Sequence, residues 1–120
     1  MLIEPLMVAL LALSPPPGKG ADVRGDCSLT VGKRVVINIK RTCHISLFGD
    51  GGFSINTAPD DARDRRPFHF AYLNIYNGLG QLSWNEDIRA NHAEWSLGED
   101  FRRKGGCWIG RRATVCAYRR

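Results

Sequence analysis

The sequence predicts an all-β protein. The expected body is a small antiparallel meander, sandwich or partly open barrel of about six to eight short strands. It would carry two local disulfides and at most one short helix near 86–95. Three observations lead there. Short runs rich in Val, Ile, Thr and aromatic residues recur between Gly-containing breaks. One of those breaks is Asn77-Gly78, the preferred pair for a tight hairpin turn. Four cysteines, an even number in a short chain, suit a stapled framework in an oxidising compartment.

The chain holds 120 residues, enough for one domain. Met1 to Gly20 reads as a secretory signal, with an unbroken apolar run from Leu6 to Leu13. That run is far short of the ~20 apolar residues that cross a bilayer, so no transmembrane span is expected. Pro15-Pro16-Pro17 follows, and Gly18 and Gly20 stand at the small-residue positions before cleavage at Ala21. Glu4, with no Lys or Arg beside it, departs from the usual basic start. The mature domain is therefore expected over 21–120, in the periplasm or outside the cell. Arg24-Gly25-Asp26 before Cys27 lacks the small and apolar residues of a lipoprotein anchor.

Within the domain, Cys27 to Val31 reads as a first strand and Gly32-Lys33 as a turn. Arg34 to Ile39 is a second strand, Lys40-Arg41 a second reversal, and Thr42 to Gly49 a third strand. Asp50-Gly51 predicts a hairpin that sets Phe48 opposite Phe53. Ala58 to Pro67 mixes three aspartates with three arginines and reads as a solvated loop rather than a cation site, which needs an excess of oxygen ligands.

Phe68 to Tyr76 and Leu79 to Trp84 flank Asn77-Gly78. A two-residue turn there puts Ala71, Leu73, Ile75, Leu82 and Trp84 on one face and Tyr72, Asn74, Tyr76, Gln81 and Ser83 on the other. Leu79 and Phe70 fall on the wetter face and need a cover. Asn85 could cap a short helix reaching Trp95, with Glu86 and Asp87 in its first turn, or open an irregular loop. Leu97 to Lys104 is a strand, and Gly105-Gly106 is a break.

The chain closes on a hairpin. With Cys107 opposite Cys116, Trp108 faces Val115, Ile109 faces Thr114, and Gly110 to Ala113 form a four-residue loop. A disulfide there would remove about 2.7 kcal/mol of unfolded-chain entropy. Of the three pairings that four cysteines allow, Cys27–Cys43 with Cys107–Cys116 is favoured because both closures are local.

Ser83-Trp84-Asn85-Glu86-Asp87, Asn91-His92-Ala93, Leu97-Gly98, Gly106-Cys107-Trp108-Ile109 and Cys116-Ala117-Tyr118 resemble a group of small secreted proteobacterial proteins of uncharacterised function. Asp50 to Phe53 and Phe70 to Asn74 match further motifs of that group. The resemblance spans Cys27 to Tyr118 and implies export, paired cysteines and an all-β domain; it brings no activity with it. The group often reads His-Ala-His where this chain has His92-Ala93-Glu94, which weakens a two-histidine metal reading.

Motifs for chemistry are sparse. No serine sits in a Gly-x-Ser-x-Gly elbow, and with the cysteines paired no thiol is left for catalysis. Gly49-Asp50-Gly51-Gly52 is a turn rather than a phosphate loop, so no cofactor is expected. His92, Glu94 and Glu86 are the nearest approach to an active site, and support the alternative of a small metal-dependent or hydrolytic enzyme. A catalytic zinc needs three protein ligands, and His44 and His69 lie on distant strands; His69 is expected packed or hydrogen-bonded, His44 exposed near a turn.

Charge points elsewhere. The formal net charge is +5 and the pI about 9.3. From Arg102 to Arg120 there are seven Lys or Arg and no acid. Arg111 and Arg112 crown the closing hairpin, Trp108 and Tyr118 are placed beside them, and Arg102, Arg103 and Lys104 precede it. Basic residues with aromatics can grip an anionic polymer or an acidic protein, and in an exported chain nucleic acid is not the expected partner. The leading expectation is an exported non-enzymatic module that binds through this basic hairpin. A secreted enzyme inhibitor, inserting the loop Gly110 to Ala113 into its target, is a second alternative.

Overall fold

In the computed structural model, which describes residues 20–120, eight antiparallel strands close into a barrel. They are β1 (Ala21–Val31), β2 (Arg34–Leu47), β3 (Phe53–Asn56), β4 (Phe70–Tyr76), β5 (Leu79–Trp84), β6 (Trp95–Lys104), β7 (Cys107–Ile109) and β8 (Ala113–Arg119). Each pairs with its sequence neighbour, and β8 returns to β1. The expected signal segment lies outside the described residues except for Gly20. The meander is thus fully closed rather than a sandwich or an open barrel, which removes the free edges a sheet must otherwise protect.

Closure depends on a close backbone approach. Gly25 pairs with Arg119 across the β1–β8 seam, and a Cβ there would collide with the carbonyl of Tyr118. Glycine is the residue a sheet uses where two backbones meet this tightly.

The first strand begins at Ala21 rather than Cys27, and the expected reversal at Lys40-Arg41 is not a turn. Arg34 to Leu47 is one long strand interrupted by a bulge. Gly25 opposes Cys43 while Cys27 opposes Ile39, so β2 carries extra residues against Asp26. Arg41 takes a φ of 70°, which imitates a turn signal locally while the strand continues. Asp26 secures the bulge. It is only 7% exposed; its Oδ1 accepts the Arg41 N–H at 2.8 Å, and its Oδ2 accepts from Arg120 Nη2 at 2.6 Å. The Arg120 bond first, then the Arg41 bond, holds the Asp26 carboxyl below its ordinary value of 3.8.

A carboxyl lowered on folding stabilises the fold fully above its unfolded pKa, and that contribution disappears as pH falls through the lower folded value. Asp26→Asn is therefore expected to destabilise the protein at neutral pH, and its deficit should shrink below about pH 4, where the unfolded chain's carboxyl protonates while the native one still resists. Urea denaturation of both proteins across that range measures the gap; a deficit of constant size would show that charge is not what Asp26 contributes.

Alternation fills the interior. Ala71, Leu73, Leu82 and Trp84 are buried, Tyr72 and Tyr76 are exposed, and Ile75 is half-buried. Asn77 and Gly78, at φ 52° and 77°, form the two-residue turn that sets this phase. Phe70, on the outer face, meets Phe68 and Tyr72 with ring centroids 6.1 and 5.8 Å away, and Tyr72 stacks on Phe48 at 6.5 Å. The expected pairing of Phe48 with Phe53 is off by one. Leu47 opposes Phe53, because the loop closes with Phe48 N–H donating to Gly52 O and Gly52 N–H donating to Asp50 Oδ1. Phe48 is thereby turned outward.

Both disulfides pair as expected, Cys27–Cys43 and Cys107–Cys116. Cys27 and Cys43 are buried at 3% and 0% exposure and join β1 to β2 beside the bulge. Cys107 and Cys116 are directly opposed on β7 and β8, with Trp108 facing Val115 and Ile109 facing Thr114. In the chain-entropy picture these closures contribute about 3 kcal/mol each.

No helix forms at 86–95. The segment is a chain of turns ordered by Asn85, which is fully buried. Asn85 Oδ1 accepts the Phe70 N–H at 2.8 Å, and Nδ2 donates to Phe68 O at 2.9 Å and Ala90 O at 3.3 Å. Its side chain faces inward to neighbouring backbone instead of capping the residues that follow it.

Candidate functional site

Strand direction decides which basic residues can act together. Arg102, Arg103 and Lys104 end β6 beside the Gly105-Gly106 turn, whereas Arg111 and Arg112 lie in the β7–β8 loop at the opposite end of the same strands. The basic hairpin expected from sequence is thus divided between two barrel mouths. Trp108 points into the barrel and is 7% exposed, so it does not join an outer basic face. Tyr118 is 48% exposed at the Gly105-Gly106 end, with its hydroxyl 3.6 Å from Cys107 Sγ. Its ring packs where a Gly106 side chain would be.

At that end a cavity of about 240 Å³ opens. Val23, Ile45, Leu47, Phe53, Trp108 and Ala117 form its wall, while Arg103 and Arg119 stand at its rim. Trp108 opposes Arg103 across β6–β7, and Ala117 precedes Arg119 by two on β8, so period-two alternation carries both arginines to the inner side at the mouth. Arg103 Nε donates to Gly105 O at 3.1 Å, which holds the side chain against the turn.

Among the described residues, no carboxylate lines this cavity. Asp50, the acid nearest its Gly51 wall in sequence, accepts from its own loop, and Asp22 accepts from Ser46 Oγ at 2.8 Å. Among the described residues, Arg103 and Arg119 lie within ion-pair distance of no acid. Arg111, by contrast, has Asp100 at 3.8 Å.

The other mouth is smaller, about 160 Å³, and mixed in charge. Val31, Val36, Trp84 and Leu97 line it, with the exposed Trp95 at its side, and Arg34 and Arg112 share it with Glu86. Its rim is tied together by Gly32 N–H donating to Arg112 O at 2.7 Å.

His92, Glu94 and Glu86 are exposed on the β5–β6 loop. Among the described residues no group of three His, Cys, Asp or Glu side chains converges as metal ligands do. His69 is packed, its ring 5.7 Å from that of Trp84 and its Nδ1 3.1 Å from Asn85 O. His44 is not near a turn: it lies within β2, its Nε2 3.1 Å from Asp60 Oδ1 but out of line for a full hydrogen bond. The loop aspartates are occupied by arginines. Arg24 lies 2.9 Å from Asp60, Asp61 pairs with Arg63, and Asp64 with Arg66; those contacts hold all three carboxyls below the ordinary range.

Arg119 and the apolar wall apart from Trp108 were missed as site residues in the sequence. The available signal was Val115-x-Ala117-x-Arg119, an inward-facing stripe that ends in a charge. No protein-family profile matches this chain, and no curated protein or solved structure matches it significantly. Among the described residues, no helix is long and apolar enough to cross a membrane.

Proposed function

We propose that this protein is a small exported, non-enzymatic binding module that recognises an anionic partner at the Arg103–Arg119 mouth of its barrel. The observation that carries the reading is two guanidinium groups that, among the described residues, have no acid partner and stand over a cavity lined by no carboxylate. A guanidinium fork suits carboxylate, sulfate or phosphate, and an arginine not paired with an acid keeps most of its donors for a ligand. The β7–β8 loop is the weaker candidate, since Arg111 has Asp100 beside it and Arg112 shares its mouth with Glu86.

Charge reversal distinguishes the two ends. Arg103→Glu with Arg119→Glu, and Arg111→Glu with Arg112→Glu, change net charge equally. On a sulfated polysaccharide matrix the first double variant should elute at clearly lower salt than the second. Equal elution would mean that total charge, not the mouth, governs retention, and the proposal would fail.

Export rests on the two disulfides, which persist in oxidising compartments. Their agreement with the secretory reading of the first twenty residues supports a periplasmic or secreted protein of the kind the resemblance implies. Mass spectrometry of native material should find a chain beginning at Ala21 with no alkylatable thiol. Free thiols on a chain retaining Met1 would contradict it.

A further inference from the structure

We infer that the Arg103–Arg119 mouth takes a single-chain amphiphile with an anionic head, such as a medium-length alkyl carboxylate. The alkyl chain enters the apolar cup, and the head lies between the two guanidiniums. This rests on the binding reading above and specifies its ligand.

The argument is one of shape and polarity. A site for a purely polar anion needs no apolar wall, yet this cup is walled by Val23, Leu47, Phe53, Trp108 and Ala117. Its depth is bounded. Phe101 is fully buried, and a side chain added at Gly80 would come within 2.8 Å of Leu73, 3.0 Å of the Phe101 Cβ and 3.1 Å of Trp108. The interior below the cup is therefore filled, and a ligand stops at the mouth. At about 240 Å³ the cavity is smaller than the roughly 300–1,000 Å³ of most small-molecule sites, which suits one chain rather than a two-chain lipid. Small barrels with room at one end hold ligands there.

Arg103 and Arg119 come from different strands, β6 and β8, and the barrel sets them at one rim. The Gly105-Gly106 turn adds no side chain between them and solvent. A carboxylate arriving with its tail inward meets two donors already placed at the entrance, and the apolar wall desolvates the contact.

Calorimetric titration of the purified protein with sodium hexanoate, octanoate and decanoate, each kept below its micelle concentration, tests the inference. Affinity should rise about fourfold per methylene, equivalent to ~0.8 kcal/mol, until the cup is full. Octanol should bind at least tenfold more weakly than octanoate. Arg103→Gln with Arg119→Gln should remove that preference while leaving octanol binding in place.

Ala117→Leu fills the cup and should abolish binding of both; Val23→Phe does the same from another strand if the first variant fails to fold. Affinity independent of chain length, equal binding of octanol and octanoate, or binding to anionic phospholipid vesicles with none to monomeric alkanoates would each overturn the inference. If alkanoates fail but the mouth variants still lose matrix retention, the anionic-partner reading stands without this ligand. If both fail, both readings fall.

Discussion

Asn85→Leu is expected to lower stability by about 3 kcal/mol, although leucine nearly conserves volume and apolar substitution usually suits a buried position. The Asn85 side chain satisfies the Phe70 N–H and the carbonyls of Phe68 and Ala90. Each buried backbone group left without a partner costs about 1–3 kcal/mol, and some of these sites are partly reached by water, so the lower end applies to each. The damage should be local as well as global. Hydrogen exchange should accelerate over Ala58 to His69 and Glu86 to Glu94, the two long loops joined through this residue, before it does in β1 or β8. Asn85→Asp keeps the acceptor for Phe70 but loses the donor to Phe68 and brings a carboxyl into a fully buried position, so it should also destabilise at neutral pH. A urea midpoint for Asn85→Leu within error of the native protein would remove Asn85 from its organising role.

Phe101→Ala is expected to cost about 3–5 kcal/mol, a large part of the roughly 5–15 kcal/mol that holds a domain folded. Phe101 is fully buried, and its ring occupies the space that a side chain at Gly110 would need; an added Cβ there would come within 2.7 Å of it. A closed barrel collapses poorly around such a hole because its radius is set by strand number and stagger. Phe101→Leu should lose much less. Equilibrium denaturation of the two variants measures the difference, and a cost for alanine below about 1.5 kcal/mol would mean the walls close inward after all.

Local chemistry explains why some elements were legible. Asn77-Gly78 has few alternatives to a tight turn, and the alternation on either side then has one phase that buries Leu73 and Leu82. Cys107 and Cys116 likewise admit one register in which a staple forms between short strands. Lys40-Arg41 was misleading for an equally local reason. A bulge uses the same polar residues and positive φ as a turn, and what distinguishes them is Asp26, fourteen residues earlier, with Arg120 at the far end of the sequence. Asn85 was misleading because a capping residue and a buried loop organiser share one side chain; the partners at Phe68 and Phe70 come from the other loop.

By itself the amino-acid order determined the β class, the pairing of the cysteines, the Asn77-Gly78 hairpin and the register of the closing hairpin, since each rests on neighbours within about twenty residues. Tertiary structure alone decided that the sheet closes on itself through Gly25 and β8, and that Arg103 joins Arg119 while Arg111 and Arg112 lie at the other end. The physical reason is that a strand sends successive basic residues along its length and to alternate faces, so nearness in sequence separates them, and the antiparallel pairing of β6, β7 and β8 is what brings the ends of β6 and β8 to one rim.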